Sequence, residues 1–216
     1  MCQLEYSRRF GTEATRRSIK PVCMNTLKKA FEEFDSKFST ETERLATYES
    51  INDLFKAVAI TVFYGGYFLI NNKTKIFPVD IEFYLYGERA NDPDWMKDYN
   101  MYHYGEDVPY FPKGGSLHPH RSGVDVTFEN EEKEYRASFL IRAYRNGPNG
   151  KKETHPTYLR EEMFGEASFS GSGLNIKWVN KASGEVADPD IKPRFRLNGK
   201  DKNADKKPWR FIKKEQ

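Results

Sequence analysis

The sequence predicts a single α+β domain. Apolar residues recur at helical spacing only in the first third of the chain, where Leu27, Ala30, Phe31, Phe34 and Phe38 repeat at intervals of three and four. Strand alternation dominates the rest, most plainly in residues 77–87, FPVDIEFYLYG. Aromatic side chains make up 15% of the 216 residues, which favours strands over a helical bundle, and a chain of this length buries a substantial core as one domain.

The elements follow in order. Residues 1–20 are polar, lack periodicity and read as a mobile N-terminal segment, with the folded domain taking 21–216. The first helix runs through Leu27 to Phe38. A second is expected to begin after Ser39 or Thr40, with Glu43 as capping-box partner to Thr40 and an apolar stripe of Leu45, Tyr48, Ile51, Leu54, Phe55 and Val58. Gly65 and Gly66 end it, and residues 67–71 lead through a polar turn at 72–74 into the long alternating strand. In that strand Phe77, Val79, Ile81, Phe83 and Leu85 share one face and Asp80, Glu82, Tyr84 and Tyr86 the other. The first face belongs in a core; the second is either solvated or the wall of a site.

A long loop rich in Asp, Pro, Tyr and Trp fills 88–114, a length and composition typical of functional loops. Residues 124–128 and 135–144 read as a hairpin about the acidic turn at 130–133, residues 158–164 as a short helix and 174–179 as another strand.

Composition bounds the function. Cys2 and Cys23 have neither metal-ligand spacing nor the pattern of a disulfide framework, which points to a reducing compartment. No secretory signal is evident, since Arg8, Arg9, Arg16 and Arg17 break the N-terminus, and no apolar run reaches membrane-spanning length; a cytoplasmic protein without a membrane partner is expected. The net charge of +3 hides a strong segregation: residues 1–21 hold five basic and two acidic side chains and residues 192–216 ten and three, so the middle is net acidic. The basic C-terminal stretch, with Lys192, Arg194, Arg196, Lys206, Lys207, Arg210 and Lys213, suits phosphate contact or serves solubility.

Four further segments keep the long strand company in a telling order: KGGSLHPHRSGVDVTF (113–128), ASFLIRAYR (137–145), PRFRL (193–197) and PWRF (208–211). With that strand they resemble the alkyladenine (3-methyladenine) DNA glycosylases, whose core runs through VETEAY, PGTLYVY, LLRA, PRIG and PWRF segments. The resemblance covers residues 51–212 discontinuously and implies a curved antiparallel sheet with flanking N-terminal helices. The implied activity is base-excision repair: hydrolysis of the N-glycosidic bond of a damaged purine flipped out of DNA.

The resemblance assigns roles. Glu82 matches the family's water-activating glutamate, a role that needs a carboxylate because water is a poor nucleophile and the sugar passes through a cationic state. An exposed strand carboxylate is its alternative. Arg142 falls where the family positions water or phosphate; inside an apolar strand it must be paired, and Glu82 or Asp80 is the expected partner. Tyr84 matches the aromatic that stacks on the extruded base, or packs across strands. His103, His118, His120 and Glu129 complete the implied base pocket, while Arg121, Lys192, Arg194, Arg196, Lys206, Lys207 and Lys213 are the expected DNA contacts.

The departures bear on substrate. His118, Pro119, His120, Arg121 and Ser122 stand where the family has tyrosines and its intercalating wedge. A pocket rebuilt with histidines and acids will not select the same electron-poor purines. His118, His120 and Asp125 do not match an established zinc spacing, so no metal or other cofactor is expected. The expected partner is double-stranded or locally unpaired DNA, bound by a monomer. A binding module of the same fold without catalysis, a hydrolase of a free nucleoside or other small molecule, and a structural protein remain as alternatives.

Overall fold

The computed structural model describes residues 27–101, 109–111, 115–165, 174–181, 185–194 and 206–214. In chain order these form α1 (Leu27–Phe38), α2 (Tyr48–Tyr64), β1 (Gly66–Ile70), β2 (Thr74–Gly87), β3 (Ser116–His120), β4 (Gly123–Thr127), β5 (Tyr135–Asn146), β6 (Lys152–Glu153), α3 (Pro156–Phe164), β7 (Ile176–Asn180), β8 (Asp190–Lys192) and β9 (Arg210–Ile212), with one 3-10 turn at Asp94–Met96. The expected N-terminal segment lies outside the described residues, as do His103 and Arg196. No helix among the described residues is long and apolar enough to cross a membrane.

The strands make one curled antiparallel sheet in the order β3-β4-β5-β2-β1-β7. β2 is its spine. One edge pairs with β5 along most of its length; the other is shared by β1 at residues 74–76 and β9 at residues 80–82. Pro78 sits between those two partners, where its missing amide costs no ladder bond.

α1 and α2 cover one face. Leu27, Ala30, Phe31, Phe34 and Phe38 are all buried, as their spacing requires, and Ile51, Phe55, Val58, Ala59, Val62 and Phe63 bury the facing side of α2. Phe83 stacks on Phe55 with centroids 4.3 Å apart and meets Phe211, Phe139 and Phe128 edge-on. Trp209 and Phe211 are fully buried, so the PWRF segment closes the core from its C-terminal end.

The start of α2 differs from the expected one. Thr40 Oγ1 does accept the Glu43 amide at 2.9 Å, the local geometry of a cap. The chain then folds back, because the Leu45 and Ala46 amides both donate to the Phe38 carbonyl and Arg44 reaches Asp92. The working capping box is Thr47 with Ser50, and Leu45 and Tyr48 stay exposed outside the stripe. Thr47→Ala should therefore cost about 1 kcal/mol of stability. A denaturant midpoint unmoved by Thr47→Ala would refute that assignment.

β2 also departs from simple alternation. Its register with β5 shifts twice: Val79 has no partner opposite it, and neither has Arg142. These bulges invert the pattern, so Ile76, Ile81, Phe83 and Leu85 enter the helix-covered core while Phe77 and Val79, expected beside them, do not. The remaining expectations largely hold. The 130–133 hairpin joins β4 to β5, α3 takes the expected short helix, and β7 the expected strand. The hairpin from β1 to β2 turns on Asn71 and Asn72, both left-handed as in a type I′ turn. The histidine segment forms a strand, β3, paired with β4.

Candidate active site

The face of the sheet turned away from α1 and α2 carries most of the predicted residues. Across it the register sets His118, Asp125, Leu140, Glu82, Arg210 and Lys192 in one row from β3 to β8, and Ser116, Thr127, Ser138 and Tyr84 in the next. Residues two apart on a strand share a face, so this follows directly from the pairing once β2 and β5 are aligned. Tyr84, Leu140 and Met101 form a small apolar cluster on this side, separate from the main core.

Glu82, Arg142 and Tyr84 meet at the centre. Arg142 donates through Nη2 to Glu82 Oε1 at 2.9 Å and through Nε to Oε2 at 3.2 Å, and the Tyr84 hydroxyl donates to Oε1 at 2.7 Å. The Glu82 side chain is fully buried and that of Arg142 is 19% exposed. Arg142 shares the face of Ser138 and Leu140 by alternation along β5, at a position with no partner opposite it on β2. Burial opposes the guanidinium's charge, but the Glu82 carboxylate outweighs it, so Arg142 ends above its ordinary pKa. Burial, and then the Glu82 charge, push the Tyr84 hydroxyl well above its usual range, which keeps it a hydrogen-bond donor. The arrangement holds a carboxylate–guanidinium pair under low dielectric, with Arg142 the more exposed partner.

A second pair lies two strands away. His120 Nε2 stands 3.2 Å from Asp125 Oδ1, both side chains nearly buried. The Ser122 amide donates to His120 Nδ1. His118 stacks on His120 and takes Phe111 edge-on, so the long loop reaches this end of the face. Arg121 and Ser122 form the two-residue turn between β3 and β4, with Arg121 exposed at the tip.

Other predicted residues are placed elsewhere. Glu129 lies two residues beyond the end of β4, where it accepts the Phe111 amide and faces Arg136. It anchors the loop and is not a wall beside Glu82. Arg194 and Lys207 are corrected as DNA contacts because both cations are used internally. Arg194 pairs with Asp98, donates to the Phe83 carbonyl and lies over the Tyr84 ring. Lys207 donates to the Trp95 carbonyl and covers the Trp209 ring. Lys213 is half-buried, with Nζ donating to the Phe63 carbonyl, whereas Lys192 and Lys206 are exposed.

Sequence reasoning named Asp80 only as a possible Arg142 partner; it pairs with Arg210 at 2.6 Å, which the PWRF segment delivers through β9. It missed Ser138 altogether, a fully buried hydroxyl opposite Tyr84 in the register that has no hydrogen-bond partner among the described residues. Alternation within ASFLIRAYR puts Ser138 on the face of Arg142, so that signal was present. Among the described residues no three His, Cys, Asp or Glu side chains are grouped to hold a metal ion. Comparison with protein-family models, with curated proteins and with solved structures finds no match to this chain.

Proposed function

We propose that the protein is a DNA base-excision glycosylase, a divergent relative of the alkyladenine class, that hydrolyses the N-glycosidic bond of a damaged purine. The observation that supports this reading is the meeting of Glu82, Arg142 and Tyr84, drawn from two strands and sixty residues of separation, in direct hydrogen-bond contact. Arg142 transfers its hydrogen bonds to a substrate phosphate or to water, freeing a carboxylate oxygen. Glu82 then takes the proton of the attacking water while its charge steadies the sugar cation. Tyr84 and the His120 side of the face hold the base.

Glu82→Gln keeps the shape and loses the base, so release of modified purine from duplex DNA should fall by roughly 10²–10⁴-fold. Fold and DNA affinity should be retained. Equal release by wild type and variant across alkylated, deaminated and oxidised purines would sink the catalytic assignment.

One observation favours a second reading, a DNA-binding module without catalysis. Glu82 is fully buried and takes three hydrogen bonds, as a structural ion pair does. That reading predicts undetectable base release by the wild type together with measurable DNA binding.

A further inference from the structure

Where β1 and β9 leave the edge of β2, a cleft of about 420 Å³ opens, lined by Phe77, Val79, Arg145, Pro148, Asn149, Lys181, Lys213 and Lys214. Four of these are cations and none is a carboxylate. Asp190 stands 3.8 Å from Lys214, with both side chains about half exposed. Arg145 is pinned by its bond to the Gly150 carbonyl and Lys213 by its bond to the Phe63 carbonyl, so two of the charges are held in place at no cost to an incoming ligand. Burial, then the nearby Lys181 and Arg145 charges, hold the Lys213 ammonium below its ordinary pKa.

The floor is apolar and aromatic. The β2 bulge turns Phe77 and Val79 out of the core into this cleft, and the Tyr67 ring lies 5.0 Å from that of Phe77. Lys75 sits over Tyr67, adding charge to the same edge. Cations around a partly exposed aromatic ring match the chemistry of a phosphodiester with its base stacked alongside, which every base satisfies. A cleft of this volume lies in the usual range for a small organic ligand and is larger than a lone phosphate requires.

We propose that this cleft binds the phosphate backbone of a single nucleic-acid strand, with one base stacked on Phe77. It deepens the DNA reading above by naming where the strand is held. Asp80 and Glu82 follow Val79 along β2, so a strand gripped here leads toward the Glu82 cluster rather than away from it. It also relocates the DNA contacts: Lys181, Lys214 and Arg145, which the C-terminal charge count did not single out, replace Arg194 and Lys207.

The test uses the full chain and a labelled oligothymidylate of about 12 nucleotides, within the span of such sites. Lys181→Glu and Lys214→Glu are surface changes that circular dichroism should show to be folded. Combined, they should lower affinity by roughly tenfold or more and flatten the log-log salt slope by roughly 1.4, about 0.7 for each contact on a single strand. Phe77→Ala should weaken binding with the slope unchanged. Inorganic phosphate and deoxyadenosine monophosphate are the competing arms. If either displaces the oligonucleotide at equal phosphate concentration, the cleft is a free-anion or nucleotide site and the strand proposal is overturned. An affinity and slope equal to wild type in the double variant overturn it as well. The outcome is separable from the glycosylase reading: binding through the cleft with no base release leaves the cleft and loses the enzyme. Base release that depends on Glu82, with binding untouched by the lysine changes, does the reverse.

Discussion

Arg142→Ala should destabilise the protein by about 3–5 kcal/mol, because it strands a fully buried carboxylate whose two bonds to the guanidinium vanish together. The Tyr84 hydroxyl still donates to Glu82, but one neutral hydrogen bond does not replace a bidentate ion pair. Replacing both partners with apolar residues of similar volume, Glu82→Leu with Arg142→Met, should recover most of the loss. Urea unfolding of the two singles and the double forms a cycle whose coupling energy measures the pair. An Arg142→Ala loss of less than about 0.5 kcal/mol, the range of ordinary surface changes, would show that the pair is not formed in solution. The cycle also bears on function. A catalytic Glu82 makes the stabilised double variant inert in base release, whereas the binding-module reading leaves all of its DNA affinity in place.

The second large effect belongs to the core behind the site. Phe83→Ala should cost about 3–5 kcal/mol, since Phe83 is fully buried and its ring touches those of Phe55, Phe139 and Phe211, packing that cannot close over the missing ring. Phe77→Ala should cost about 1 kcal/mol or less, although both residues occupy odd positions of one strand. The difference is the bulge at Val79. Similar losses at the two positions, measured by denaturant midpoint with an unchanged m-value, would mean that the alternation runs unbroken and that Phe77 is a core residue.

The sequence by itself determined the α+β class, α1, the β4–β5 hairpin and the short helix α3, because each rests on local periodicity or on turn chemistry within one stretch of chain. It also determined that Glu82, Tyr84 and Arg142 are candidates, through alternation and through an arginine that an apolar strand cannot leave unpaired. Tertiary structure alone decided which face Phe77 occupies, because a bulge is a mismatch between two strands and neither strand carries it alone. The start of α2 was decided the same way: Thr40 has the cap chemistry, but the Phe38 carbonyl and Asp92 hold the following residues in a reversed turn. The fates of the basic residues were likewise invisible in composition. Arg194 and Lys207 fold inward onto Asp98 and the Trp95 carbonyl, while Lys181 and Lys214, some thirty residues apart in sequence, line one cleft. Charge acts over ångströms in space, and its sequence position says nothing of which other charges share its surroundings.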